Sequence, residues 1–182
     1  MRRAGFTLIE MMIVVAIIAV IAAIAIPNLL ASRRQANEAN AIAACKEIGF
    51  AQSVYHRTDW DGDAIHEYVT PYTLLYSQVA PDGNMLKLIS EALMLASTPA
   101  NPLQGYFFTD IISDSVTGPY VLGGNQEAEY GISANPTRYA KSGVNTYIMS
   151  AEGIVYAQDQ GATAPVLVYP ANARAAGWVV AQ

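Results

Sequence analysis

The sequence predicts an α+β chain in which one long N-terminal helix lies against a small antiparallel β-sheet head. Three observations carry that expectation. Residues 6–26 form an apolar run in which only Thr7 and Glu10 are polar. Small and apolar residues then recur at spacings of three and four from Ala41 to Tyr55, the signature of one helix face. From Gln104 onward the pattern changes to short aromatic and β-branched runs separated by turn residues.

The 21 residues of the first run would make a helix spanning roughly 30 Å, the thickness of a bilayer's hydrocarbon core. Glu10 does not fit an ordinary span. A carboxylate in such a helix costs a few kcal/mol, about 2.5–3.5 at the bilayer centre on insertion scales, and marks a functional position by default. The opening also departs from a secretory signal, because its basic segment is only Arg2-Arg3 and no small-x-small cleavage motif follows the apolar run. Instead Gly5 stands between the basic leader and the apolar run, so a cut after Gly5 would remove the arginines and keep the hydrophobic segment.

Arg2-Arg3-Ala4-Gly5 followed by Phe6-Thr7-Leu8-Ile9-Glu10 closely resembles the prepilin signature of type IV pilins and their relatives. The resemblance is most specific over residues 5–10 and extends through Pro27, where family members often carry a helix-bending proline. It implies a pilin-like fold and cleavage after Gly5 by a membrane prepilin peptidase, with methylation of the new amino terminus at Phe6. It further implies that Glu10 meets the Phe6 amine of a neighbouring subunit during assembly. Physically, an amine and a carboxylate in an apolar medium are each costly unless paired, so such a pair fixes register more than it adds stability. The implied partners are other pilin subunits, the peptidase and an inner-membrane assembly platform. The implied location is the inner membrane, single-pass with a cytoplasmic N-terminus, and then a cell-surface or periplasmic filament. Charge alone does not set that topology, since Arg33 and Arg34 follow the span as Arg2 and Arg3 precede it.

The expected organisation is a leader at residues 1–5, a transmembrane and assembly helix at 6–26, an amphipathic continuation at 27–58 and a globular head at 59–182. Pro27 removes a helical hydrogen bond, so a kink or local melting is expected over residues 23–27. Beyond it, Ala41, Ala44, Ile48, Ala51 and Tyr55, with Cys45 beside them, form the stripe on which the head should pack. Ile42, Phe50 and Val54 form a second set toward the head's margin or adjoining subunits.

The helix is expected to end near Thr58, before an acidic turn. Asp59, Asp61 and Asp63 at alternate positions, a turn-forming Gly62 and then Glu67 offer hard oxygen ligands of the kind calcium requires. Against calcium, the EF-hand glycine position holds Ala64 and the bidentate glutamate position holds Thr70. A solvated acidic turn is the alternative.

Residues 72–76 suggest a short helical or irregular stretch, and Pro81-Asp82-Gly83-Asn84 suggests a turn. Residues 85–95 carry helical periodicity, with Lys87 and Glu91 spaced as an exposed i,i+4 pair. Strands are expected at 105–109, 120–122 and 129–133, with a hairpin of 145–150 and 154–157 around Ala151-Glu152-Gly153. A last edge strand is expected at 166–169, limited by Pro165 and Pro170. The Ala-rich tail at 171–182 reads as poorly ordered, with Trp178 the residue suited to docking.

Composition narrows the function. From Asp59 onward 4 basic residues face 12 acidic ones, so the head carries a net charge of −8, which argues against direct nucleic-acid binding. Cys45 is the only cysteine, so no internal disulfide is possible, whereas many pilins close a C-terminal loop with one. His56 lies eleven residues after Cys45, three helical turns away, which spoils a Cys-His pair. No catalytic residues are assigned, no cofactor is expected beyond the calcium alternative, and no enzymatic activity is anticipated. The expected function is a major or minor structural subunit of a type IV pilus-like filament. Its rivals are a type II secretion pseudopilin and an uncleaved membrane-anchored binding protein with an acidic head.

Overall fold

A computed structural model of the chain describes residues 5–58, 60, 65–80, 82–115, 118–119, 125–126 and 129–181. Helix α1 runs from Leu8 to Arg57, 50 residues and about 75 Å. It passes through Pro27 without a break, so the local melting expected over residues 23–27 is absent, although Pro27 has no N–H to offer the carbonyl one turn back. The helix stops at Thr58, whose backbone is extended and whose N–H reaches back to the Tyr55 carbonyl at 3.0 Å.

The remaining elements are β1 (Tyr68–Val69), α2 (Leu74–Ser77), α3 (Glu91–Leu95), β2 (Tyr106–Asp110), β3 (Ser113–Asp114), β4 (Gly118–Pro119), β5 (Asn125–Gln126), β6 (Gly131–Pro136), β7 (Asn145–Ser150), β8 (Val155–Asp159), β9 (Val168–Tyr169) and β10 (Val179–Val180). Five of them form an antiparallel sheet in the order β10-β8-β7-β6-β2. The predicted hairpin is β7-β8, in register from Asn145 opposite Asp159 to Met149 opposite Val155, and Gly153 supplies the positive φ of +74° in its turn.

Alternation along the strands divides the core in two. Ile132, Ala134, Tyr147, Met149, Val155 and Ala157 pack with the predicted α1 stripe, every member of which is buried. Ile148 and Tyr156, which alternate with them, pack with Ile111, Ala173 and Trp178 in a second cluster. Both faces of the central strands are therefore covered, which is why all six residues of β6 are buried. Of the second helix set, Ile42 packs at the margin of the core, whereas Phe50 is 73% exposed.

At Gly49 the helix leaves room for side chains from the sheet side of the core. A Cβ on Gly49 would stand 2.5 Å from the Met149 methyl and 3.0 Å from the Tyr130 hydroxyl. Little more than one turn of α1 adds three polar ties to the head. The Arg34 guanidinium donates to Ala140 O at 3.2 Å, Asn37 donates to Ser142 O at 2.9 Å, and Glu38 accepts from the Val144 N–H at 2.8 Å. Further along, Gln52 is fully buried. Its amide donates to Val69 O at 2.6 Å and accepts from Val69 N–H at 3.0 Å, pairing with β1 as a neighbouring strand would.

Three expectations fail. Residues 85–95 are not one helix, because only Glu91–Leu95 is helical. Met85 bridges to Val79, the Leu86 and Leu88 amides bond to Gln78 and Leu75 carbonyls, and Lys87 takes a φ of +48°. Backbone pairing with the preceding segment thus overrides the local period, and Lys87 and Glu91 do not share a helix. The strand expected at 166–169 is β9, an edge strand as expected, but it pairs in parallel with β3 in a separate sheet and does not join the main antiparallel one. The tail is ordered. Trp178 is 5% exposed, and β10 pairs with β8 as an edge strand of the main sheet, since the outer face of β7 and β8 needs apolar cover. The strand expected at 120–122 lies outside the described residues.

Two measurements check this packing on the full chain in detergent. Replacing Gln52→Leu leaves the Val69 amide and carbonyl buried without partners, and should cost about 2–4 kcal/mol of unfolding free energy. Asp110 accepts the Tyr72 N–H at 2.8 Å, yet burial raises its pKa to about 6. The folded state therefore holds the Asp110 proton more tightly than the unfolded chain, and stability should fall as pH rises from about 4 to about 6. Asp110→Asn keeps an acceptor for Tyr72, so it should flatten that slope and stabilise the protein at pH 7 by on the order of 2 kcal/mol.

Candidate assembly helix and its neighbours

Gly5, Phe6 and Glu10 lie together at the start of α1, whereas Pro27 lies within the helix. Thr7 is the N-cap, and the spacing Thr7-x-x-Glu10 closes a reciprocal capping box. The Thr7 N–H donates to Glu10 Oε2 at 2.8 Å, the Thr7 hydroxyl donates to the same oxygen at 2.6 Å, and the Glu10 N–H donates to Thr7 Oγ1 at 3.3 Å. The carboxylate also sits at the positive end of the helix dipole. In the single chain, then, Glu10 is satisfied by its own N-terminus. The Thr7-x-x-Glu10 spacing is the sequence signal for this box.

Gly5 and Phe6 precede the cap in non-helical backbone, and Phe6 is 80% exposed. Behind them the side chains at 8–30 are exposed almost without interruption, including Leu8, Ile13, Ile17, Ile21, Ile24 and Leu30. This is the one helix among the described residues long and apolar enough to cross a membrane, and none of its apolar window is buried by protein. An exposed apolar rod of this size requires another apolar phase, either lipid or copies of itself. Pro27 lies at the far end of that rod, before the head begins to cover the helix.

The other predicted site residues are not gathered there. Asp59, Asp61 and Asp63 lie outside the described residues. Glu67 is buried at the entry to β1, and among the described residues no three His, Cys, Asp or Glu side chains come together as a metal cluster. Cys45 is wholly buried in the helix–sheet core, and burial pushes its thiol up to about 12, so it is a small apolar core residue and a poor nucleophile. The polar ties made by Asn37, Glu38 and Gln52 escaped the sequence reading, whose only available signal was a glutamine inside an otherwise apolar stripe.

Comparison with known proteins fits this geometry. Residues 1–26 match the prokaryotic N-terminal methylation motif, and residues 23–172 match a family described as a protein of unknown function (DUF2950). The chain is 34% identical over 139 residues to the type IV wide pilus major component PilA4 of Thermus thermophilus, covering 76% of this chain and 86% of that protein. It is 46% identical over 54 residues to the type IV major pilin protein PilA of Myxococcus xanthus, covering 30% of this chain and 24% of that protein. No solved structure matches. A bare apolar half-helix beginning at a methylation motif, a covered half bearing a small antiparallel sheet, and similarity along most of a pilus component together show that the chain belongs to the type IV pilin family as a structural subunit of a pilus, with its body in the DUF2950 family.

Proposed function

We propose that the chain is a major pilus subunit, cleaved after Gly5 by a prepilin peptidase, methylated at Phe6, and held in the inner membrane with its N-terminus in the cytoplasm until an assembly platform passes it into a filament. Both relatives carry the description of a major component, which supports the major over the minor role. The reading gives the head no catalytic task and requires no cofactor. The observation that carries it is the uncovered apolar half of α1 with a single carboxylate in its first turn.

Glu10 has two successive partners on this account. In the membrane it is held by Thr7, which lowers the cost of placing a carboxylate near lipid. Cleavage then creates an amine at Phe6, one turn away on each copy. As the helices leave lipid and pack together, Glu10 exchanges its own cap for the amine of a neighbour. An offset that leaves either charge alone in an apolar medium costs several kcal/mol, so the pair selects one stagger.

Two experiments test this. Mass spectrometry of the membrane and filament fractions should find the chain beginning at methylated Phe6. An intact Met1 or Arg2 in cells with active peptidase would instead favour an uncleaved anchored protein. Substitution at Glu10 separates the cap from the charge. Gln retains the capping pattern without the charge, and Ala removes both. Filament yield should fall at least about tenfold in both variants, as expected for losing more than 1.4 kcal/mol per contact, while both remain in the membrane. Recovery of normal filaments with Glu10→Gln would mean that the cap matters and the charge pair does not.

A further inference from the structure

Where α1 leaves its apolar half, the base of the head forms a groove of about 830 Å³ between Pro27 and Leu30 on the helix and the loop that joins β6 to β7. Arg33 and Arg34 line it from the helix, and Arg138 and Lys141 from the loop. Among the described residues, no Asp or Glu lines it. Half of the 8 basic residues beyond the leader are thus collected at one place on a chain whose head is otherwise strongly acidic. The nearest helix carboxylate, Glu38, is directed to the Val144 and Asn145 amides. Arg34 is fixed by its bond to Ala140 O, while Arg33, Arg138 and Lys141 are exposed.

The position of this groove relative to the membrane identifies its occupant. If residues 6–26 fill the hydrocarbon core, Arg33 lies about 10 Å along the helix beyond its edge. Helix side chains lean toward the N-terminus, and a long guanidinium stem carries its charge back further, to the depth of the lipid phosphates. Two arginines immediately beyond the far end of a span also run against the usual placement of positive charge on the cytoplasmic side. We infer that this groove binds the head group of an anionic phospholipid, seating the head on the membrane surface while the subunit waits in the bilayer. The apolar walls at Pro27 and Leu30 are continuous with the spanning helix and suit the glycerol end of such a lipid, and the four cations suit its phosphate. The inference rests on the membrane-spanning reading of residues 6–26.

The test uses the full chain in vesicles of phosphatidylcholine mixed with phosphatidylglycerol. Flotation first establishes insertion, and failure to float would sink the spanning reading itself. Native mass spectrometry of the released chain then counts retained lipids. The triple variant Arg33→Gln, Arg138→Gln, Lys141→Gln keeps Arg34 and its tie to Ala140. A matching pair of substitutions, Arg33→Lys with Arg138→Lys, keeps the charge. The unaltered chain should retain phosphatidylglycerol over phosphatidylcholine at least about fivefold more selectively than the triple variant, the effect of one basic residue near an anionic surface, and the lysine variant should behave like the unaltered chain. Leader arginines contribute equally to all three, so the difference reads the groove alone.

Equal selectivity in inserted chain and triple variant overturns the inference. So does loss of selectivity on adding inorganic phosphate at constant ionic strength, which would make the groove a site for free phosphate. A triple variant that keeps its lipid selectivity but no longer forms filaments would also overturn it, and would assign the cations to an acidic neighbouring subunit.

Discussion

An apolar helix surface with no protein against it is the constraint on which this molecule depends. The exposed side chains from Phe6 to Ile26 cannot remain in water, and the head does not cover them. Two environments satisfy them, a bilayer or a bundle of identical helices, and a pilus subunit occupies both in turn. Lipid tails and leucine side chains are equally apolar, so the transfer between them is not driven by hydrophobic burial. On the proposed reading, packing, hydrogen bonds and the Glu10 charge pair decide its direction and stagger. In that setting the charge pair proposed for Glu10 would carry unusual weight, and in the single chain the capping box already satisfies that carboxylate.

The other half of the helix solves a different problem. It is a spine for the head, with small residues at the interface so that a sheet can approach closely. Gly49 makes room for the Met149 and Tyr130 side chains, and Ala41, Ala44 and Ala51 keep the neighbouring turns narrow. Polar ties from Arg34, Asn37, Glu38 and Gln52 fix the head at both ends of the contact. Without a disulfide, the C-terminal segment closes the structure by burying Trp178 against the far face of the sheet and adding β10 at its edge.

Much of this was legible in the sequence, and the limits have physical causes. The α1 stripe and the β7-β8 hairpin depend on short-range periodicity and on turn chemistry at Gly153, which a sequence displays directly. The N-terminal motif was equally clear. Residues 85–90 misled because their helical period was real, yet the backbone found better partners at Leu75 and Gln78. The tail misled because alanines and glycines give no pattern, and the value of Trp178 depends on a sheet face that only the fold creates. Gln52 pairs with a residue 17 positions away, and Arg34 with one 106 away, so neither tie could be read locally. The basic groove unites two pairs of cations that are each unremarkable in sequence.

Electron cryomicroscopy of sheared filaments examines the central claim most directly. The account predicts that residues 6–26 form the dry interior of the filament, with Glu10 of one subunit within hydrogen-bonding distance of the Phe6 amine of another. A map in which those helices line the outside, or in which every Glu10 remains folded onto its own Thr7 with no amine beside it, would contradict it.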